Sequence, residues 1–221
     1  TDEDIDKIAR AYTDGYITSF QLAGIDLSKK ETVQIRYPVG FERIVKRSME
    51  LFAESGLKTV IARNYTAISF LALSQSGSID SNPQFAYDHR YDKAIYLNKA
   101  MKDRQLSSLK NAYEKYKNEA LVYAGPAVIE YFGEKNFTPV TKKEALSLND
   151  EQRILSSSYD IEASQIINNY INRENYSFTI IAFPVPSIGE DYEKIFKDTI
   201  RINTLDTKEY EIIQQKIIDV L

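Results

Sequence analysis

The chain has 221 residues, 43% hydrophobic and 27% charged, which excludes disordered, collagen-like and disulfide-stapled classes and leaves an ordinary folded domain. Its 28 Lys and Arg against 32 Asp and Glu give a net charge of -4, so the basic face that nucleic acid requires is missing. With no Cys and no apolar run near the roughly 20 residues of a membrane-spanning helix, we expect a cytoplasmic protein with no nucleic-acid and no membrane partner.

Thr1 is placed to cap a helix whose first turn carries Asp2, Glu3 and Asp4. Ile5, Ile8, Ala9, Tyr12, Tyr16 and Phe20 then recur at helical spacing until Gly24 ends the pattern. Alternation of Val33, Ile35 and Tyr37 with Gln34 and Arg36 predicts a strand, stopped by Pro38 and Gly40. A second helix follows on the stripe Ile44, Val45, Ser48, Leu51 and Phe52, with Gly56 as its C-terminal cap, and 59–62 reads as a short strand. Strand, helix and strand in succession predict one right-handed crossover between parallel strands. The apolar run 67–73 fits a strand or a buried helical turn equally well.

Segment 74–92 is long and rich in Ser, Gly, Asn, Asp and Pro, the mark of a functional or a mobile loop. A brief strand is predicted at 94–97. Asn98 then caps a long helix with Met101, Leu109, Ala112, Tyr113 and Tyr116 inward and Lys102, Asp103, Arg104, Lys110, Glu114 and Lys117 outward. Gly125-Pro126 predicts a break, followed by a short helix up to Gly133 and an irregular stretch to Leu148. Asn149 or Asp150 opens a helix through Leu155, Tyr159, Ile166, Ile167 and Tyr170. The near-continuous apolar run 177–183 predicts a strand buried on both faces, ended by Pro184 and Pro186. Two further helices are predicted at 190–200 and 206–221, the second with Asp206 and Glu209 in capping-box spacing. The fold class is therefore α/β, a layered domain with a mostly parallel sheet flanked by helices, and 1–221 forms one such domain. Position 1 is not Met, and 212–221 runs out within a helical pattern, so we expect an excised piece of a longer polypeptide.

Residue by residue, no catalytic centre emerges. His89 is the single imidazole, set among loop residues with scattered carboxylates, and reads as a hydrogen-bonded loop histidine in preference to a metal ligand. No Gly-x-Ser-x-Gly elbow accompanies it. The turn Tyr37-Pro38-Val39-Gly40-Phe41 offers helix amides around Phe41 and Glu42 to an anion, but without the glycines of a phosphate-binding loop it reads better as a tight turn. The Pro184-Val185-Pro186 turn has the same standing. The paired carboxylates Asp2 with Glu3, Asp150 with Glu151, and Glu190 with Asp191 all lie at predicted helix starts, where they complement the macrodipole. Catalytic, cofactor-binding and metal residues are thus all assigned as none.

Three stretches together carry a resemblance. They are Ile35-Arg36-Tyr37-Pro38-Val39-Gly40-Phe41-Glu42-Arg43, Tyr123-Ala124-Gly125-Pro126-Ala127-Val128, and 177–186 followed by 199–206. They resemble the amino-terminal region of the thermophilic-aminopeptidase metallopeptidases, the aminopeptidase T and S or leucyl aminopeptidase-like type, in a long form found in clostridia. The resemblance implies an α/β scaffold. It also implies a later domain whose Glu, His and Asp residues bind two metal ions, zinc or cobalt, and a homodimer acting on peptides. On that reading the metal-binding catalytic domain lies after residue 221, and this piece is a non-catalytic scaffold that borders the substrate entrance, with loop 74–92 contributing. Its partners are then its own downstream catalytic domain and peptide substrates, and the fragment alone is expected to be inactive. The alternative reading is an α/β small-molecule or partner-binding module with a pocket at the carboxyl ends of its strands and no hydrolytic activity.

Overall fold

A computed structural model describes residues 1–61, 78–79, 83–133, 136–205 and 207–220. Helix α1, Asp2–Ala23, opens on a capping box in which the Thr1 hydroxyl accepts from the Asp4 amide, and it closes at Gly24 in the left-handed conformation, φ 67°. Strand β1, Thr32–Pro38, buries Val33, Ile35 and Tyr37 as its alternation requires. Helix α2, Glu42–Glu54, returns the chain to β2, Lys58–Val60, which lies parallel to β1 with Val33 opposite Thr59. These elements follow local signals closely.

The middle of the chain departs from its local signals. Within the polar stretch 74–92, β3, Ser78–Ile79, pairs in parallel with the end of β1, and α3, Pro83–Asp88, is a short helix. The brief strand expected at 94–97 is a 3-10 helix, Asp92–Ile95, closed by the Tyr96 amide on the Lys93 carbonyl. Helix α4, Lys99–Lys115, starts at the Asn98 cap as expected, but its buried face carries Lys102 and Leu106. Ala112 and Tyr116 face solvent instead. A short α5, Lys117–Leu121, follows. The run 67–73 lies outside the described residues.

The largest correction is β4, Tyr123–Phe132, a ten-residue strand where a Gly-Pro break and a helix were expected. Its register against β1 shifts by one residue between Tyr123 and Gly125, and Gly125 takes φ +109° there. A Cβ at this position would lie 1.9 Å from the Ser177 carbonyl oxygen, so glycine is what lets the two backbones pass. Pro126 sits one residue before the ladder to the next strand begins at Ala127, and the strand continues through it.

Helix α6, Asp150–Asn168, begins at an Asn149 capping box and leads to β5, Thr179–Pro184, parallel to β4. This edge strand is not buried on both faces: Phe183 is enclosed, whereas Ile180 is 50% exposed. Helices α7, Tyr192–Asn203, and α8, Thr207–Ile218, complete the chain. The Asp206 capping box lies outside the described residues. The strand order is β2-β1-β4-β5, all parallel, with β3 beside β1. One core joins Tyr12, Tyr16 and Phe20 of α1 to the inward residues of β1, α2 and β4 and to Phe183. A second, small core of Leu106, Tyr159 and Ala163 ties α4 to α6. Among the described residues no helix is long and apolar enough to cross a membrane.

Candidate functional site

From β1 the chain moves outward to β2 and then returns to the other side of β1 as β4. That reversal leaves a crevice outside the carboxyl ends of the two central strands, the place where open parallel sheets take their ligands. The two turns singled out in the sequence meet near it. Val39, Gly40 and Phe41 leave β1, and Pro184, Val185 and Pro186 leave β5, and together they line one cavity of about 400 Å³. Ile5 and Ile8 of α1, Ile44 of α2 and Phe196 of α7 supply much of the remaining wall.

The wall is aromatic and firmly held. Phe41 and Phe183 have ring centroids 5.8 Å apart, Phe183 and Phe196 5.6 Å, and Phe196 and Tyr192 5.7 Å, the spacing of offset aromatic pairs. The Val185 amide donates to the Phe132 carbonyl at 2.9 Å, and the Ser187 hydroxyl donates to the Gly133 carbonyl at 3.1 Å. The loop after β5 is thereby fastened to the end of β4.

The charges around the mouth are answered within the protein. The Gly40 amide donates to both Glu42 carboxylate oxygens, at 3.0 and 3.2 Å, so a side chain of the helix itself takes the place a bound anion would take. The tight-turn reading of 37–41 agrees with this geometry. Arg43 pairs with Asp2 at 2.5 Å. The Thr1 hydroxyl donates to Asp4 at 2.7 Å, and that bond holds the Asp4 carboxyl below its ordinary range. What remains facing the cavity among the described residues is a mainly apolar surface suited to holding a molecule. Comparison with known proteins adds no identification: no protein-family model, no curated protein and no solved structure matches the chain.

His89 lies elsewhere. Its Nδ1 is 2.8 Å from Asp92 Oδ2, its ring is 4.4 Å from that of Phe85, and the same segment is laced to 140–142 through Gln84 with Val140 and Asp88 with Lys142. Lys142 holds the Asp88 carboxyl below its ordinary range. Among the described residues no three His, Asp or Glu side chains gather into a cluster that fits the zinc or cobalt implied by the resemblance, and His89 is bonded to Asp92. No chemical step is assigned to a metal on this chain.

Two features escaped the sequence reading. Lys102, placed there on the outer face of α4, is only 9% exposed; its ammonium donates to Ser158 at 2.6 Å and to Glu162 at 2.5 Å, and Ser158 donates to Glu162 at 2.7 Å. Ser158 and Glu162 stand four residues apart on α6, a visible spacing, but nothing local ties them to α4. Lys102 thus forms an ion pair with Glu162 across the two helices, with Ser158 bridging them. The second feature is a wider, more polar cavity of about 560 Å³ at the opposite end of the sheet, bounded by the last turns of α1 and α5 and the residues just after α6. Lys30 reaches into its lining and donates to the Leu121 carbonyl at 2.9 Å; burial lowers the pKa of its ammonium.

Proposed function

We propose that this chain is the non-catalytic frame of a metal-dependent aminopeptidase, the part that shapes access for peptides while a later domain of the same polypeptide binds zinc or cobalt and cleaves. One observation carries the reading. The stretches on which the resemblance rests are β1 with its turn into α2, the start of β4, and β5 with its loop and the end of α7, and the three strands are neighbours in one sheet. A shared frame, not a shared reaction, is what such motifs encode. The stretch β3 to α3 of the polar segment 74–92 begins beside the carboxyl end of β1, where a bordering loop is useful. In the whole enzyme we place the frame in a cytoplasmic homodimer.

The test is aminopeptidase activity on short peptides with added zinc or cobalt, run side by side on the gene's full-length product and on residues 1–221. Release of N-terminal amino acids by the long form alone is the expected result. Activity of residues 1–221 unaided, or inactivity of the long form with either metal, defeats the proposal. A second reading, a small-molecule-binding module without hydrolysis, is favoured by one feature, the aromatic cavity at the carboxyl end of the sheet.

A further inference from the structure

We infer that the cavity at the carboxyl end of the sheet binds a small, neutral, mainly apolar molecule, an inference that rests on the binding-module reading and is independent of any peptidase. Its volume of about 400 Å³ falls within the range of pockets that hold small ligands. Ile5, Val39, Phe41, Val185 and Phe196 give it aliphatic and aromatic walls, and removing an apolar ligand from water against them is favourable in proportion to the area covered.

The state of the rim decides the charge of the ligand. Arg43 is paired with Asp2, Asp4 is bonded to Thr1, and Glu42 is bonded to the Gly40 amide. An ionised ligand seated in the cavity has to leave water for hydrocarbon walls, and the rim charges nearest to it already have partners, so its charge is desolvated at a cost. A neutral molecule avoids that cost. The bonds from Val185 to Phe132 and from Ser187 to Gly133 hold the β5 loop in place, so that wall is formed before a ligand arrives and little ordering cost is left for binding.

The experiment titrates the protein with N-phenyl-1-naphthylamine, a neutral fluorophore that brightens in apolar sites, and in parallel with its sulfonated relative 8-anilinonaphthalene-1-sulfonate. Val39→Asp and Val185→Asp each put a carboxylate in the wall; Val39 is 61% exposed, so its substitution leaves the fold intact. Ile154→Asp, at an exposed apolar position on α6 away from the cavity, is the control. The expected result is saturable binding of the neutral probe, weakened about tenfold or more by each wall variant and unchanged by the control. Neutral-probe binding that the wall variants leave unchanged overturns the inference. If the sulfonate binds as tightly as the neutral probe and loses affinity in the wall variants, the inference falls while the binding-module reading survives. If neither probe binds, both fall.

Discussion

Two tyrosines one helical turn apart on α1 meet different fates. Tyr16 donates its hydroxyl to the Gly125 carbonyl at 3.1 Å, whereas the fully buried Tyr12 hydroxyl has no partner among the described residues. Burial raises the pKa of both phenols far out of the physiological range, so each is a neutral donor near pH 7. An unmade hydrogen bond in a sealed site carries its full desolvation cost, while a made one contributes about 1 kcal/mol. Tyr12→Phe is therefore expected to stabilise the protein by about 1 kcal/mol and Tyr16→Phe to destabilise it by about the same amount. Urea midpoints of the two variants check this, and a loss in Tyr12→Phe would point to a hydrogen bond that its environment does not show. Gly125 is stricter, since any Cβ collides with the Ser177 carbonyl and φ of +109° disfavours L-residues. Gly125→Ala is expected to cost more than about 3 kcal/mol, a large share of the roughly 5–15 kcal/mol that holds a domain folded. A circular dichroism melt close to that of the natural protein would contradict it.

Between elements, the Lys102 cluster holds α4 to α6. Lys102, and to a lesser degree Ser158, draws the Glu162 carboxyl below its ordinary 4.5. A carboxyl with a lower pKa folded than unfolded stabilises above the unfolded value and loses that contribution as pH falls through the folded one. Glu162→Gln is thus expected to melt below the natural protein at pH 7, with the gap closing as pH drops under 4.5; a gap independent of pH would exclude the ion pair as its cause. Lys102→Met removes the enclosed charge instead and is expected to stay within about 1 kcal/mol of the natural protein, because the half-exposed Glu162 is left to water. The same cluster shows where legibility in the sequence ends. Thr1, Gly24, the alternation of β1 and the Asn149 cap act on residues within a turn of themselves, and those elements were readable. Lys102 looks solvent-facing from its own helix because its partner is sixty residues away, and Gly125-Pro126 looks like a break because the carbonyl that demands a glycine belongs to the approach to β5. Likewise the turns at 38–41 and 184–186 were visible as turns. Their meeting in one cavity depends on strand order, which no local pattern states.

At the scale of the molecule, the two cores are unequal in a way that sets how the chain opens. The main core runs from α1 through β1, α2 and β4 to Phe183, with Phe196 and Ile200 of α7 packed against it, so these elements lose their burial together. The α4 and α6 pair rests on Leu106, Tyr159 and Ala163, on the Lys102 cluster, and on Gln152 bonded to the Ala94 and Leu97 carbonyls. Opening that pair exposes far less apolar surface than opening the sheet does, so it takes less free energy. Native-state hydrogen exchange is expected to show the β1 and β4 amides exchanging only through global unfolding and the α4 and α6 amides through a cheaper, partial opening. Leu106→Ala separates the two units: it is expected to lower protection in α4 and α6 by about 2 kcal/mol while the strand amides keep most of theirs. Equal loss across helices and strands would mean that the α4 and α6 pair and the sheet unfold as one cooperative body, and the smaller core would then be an extension of the larger.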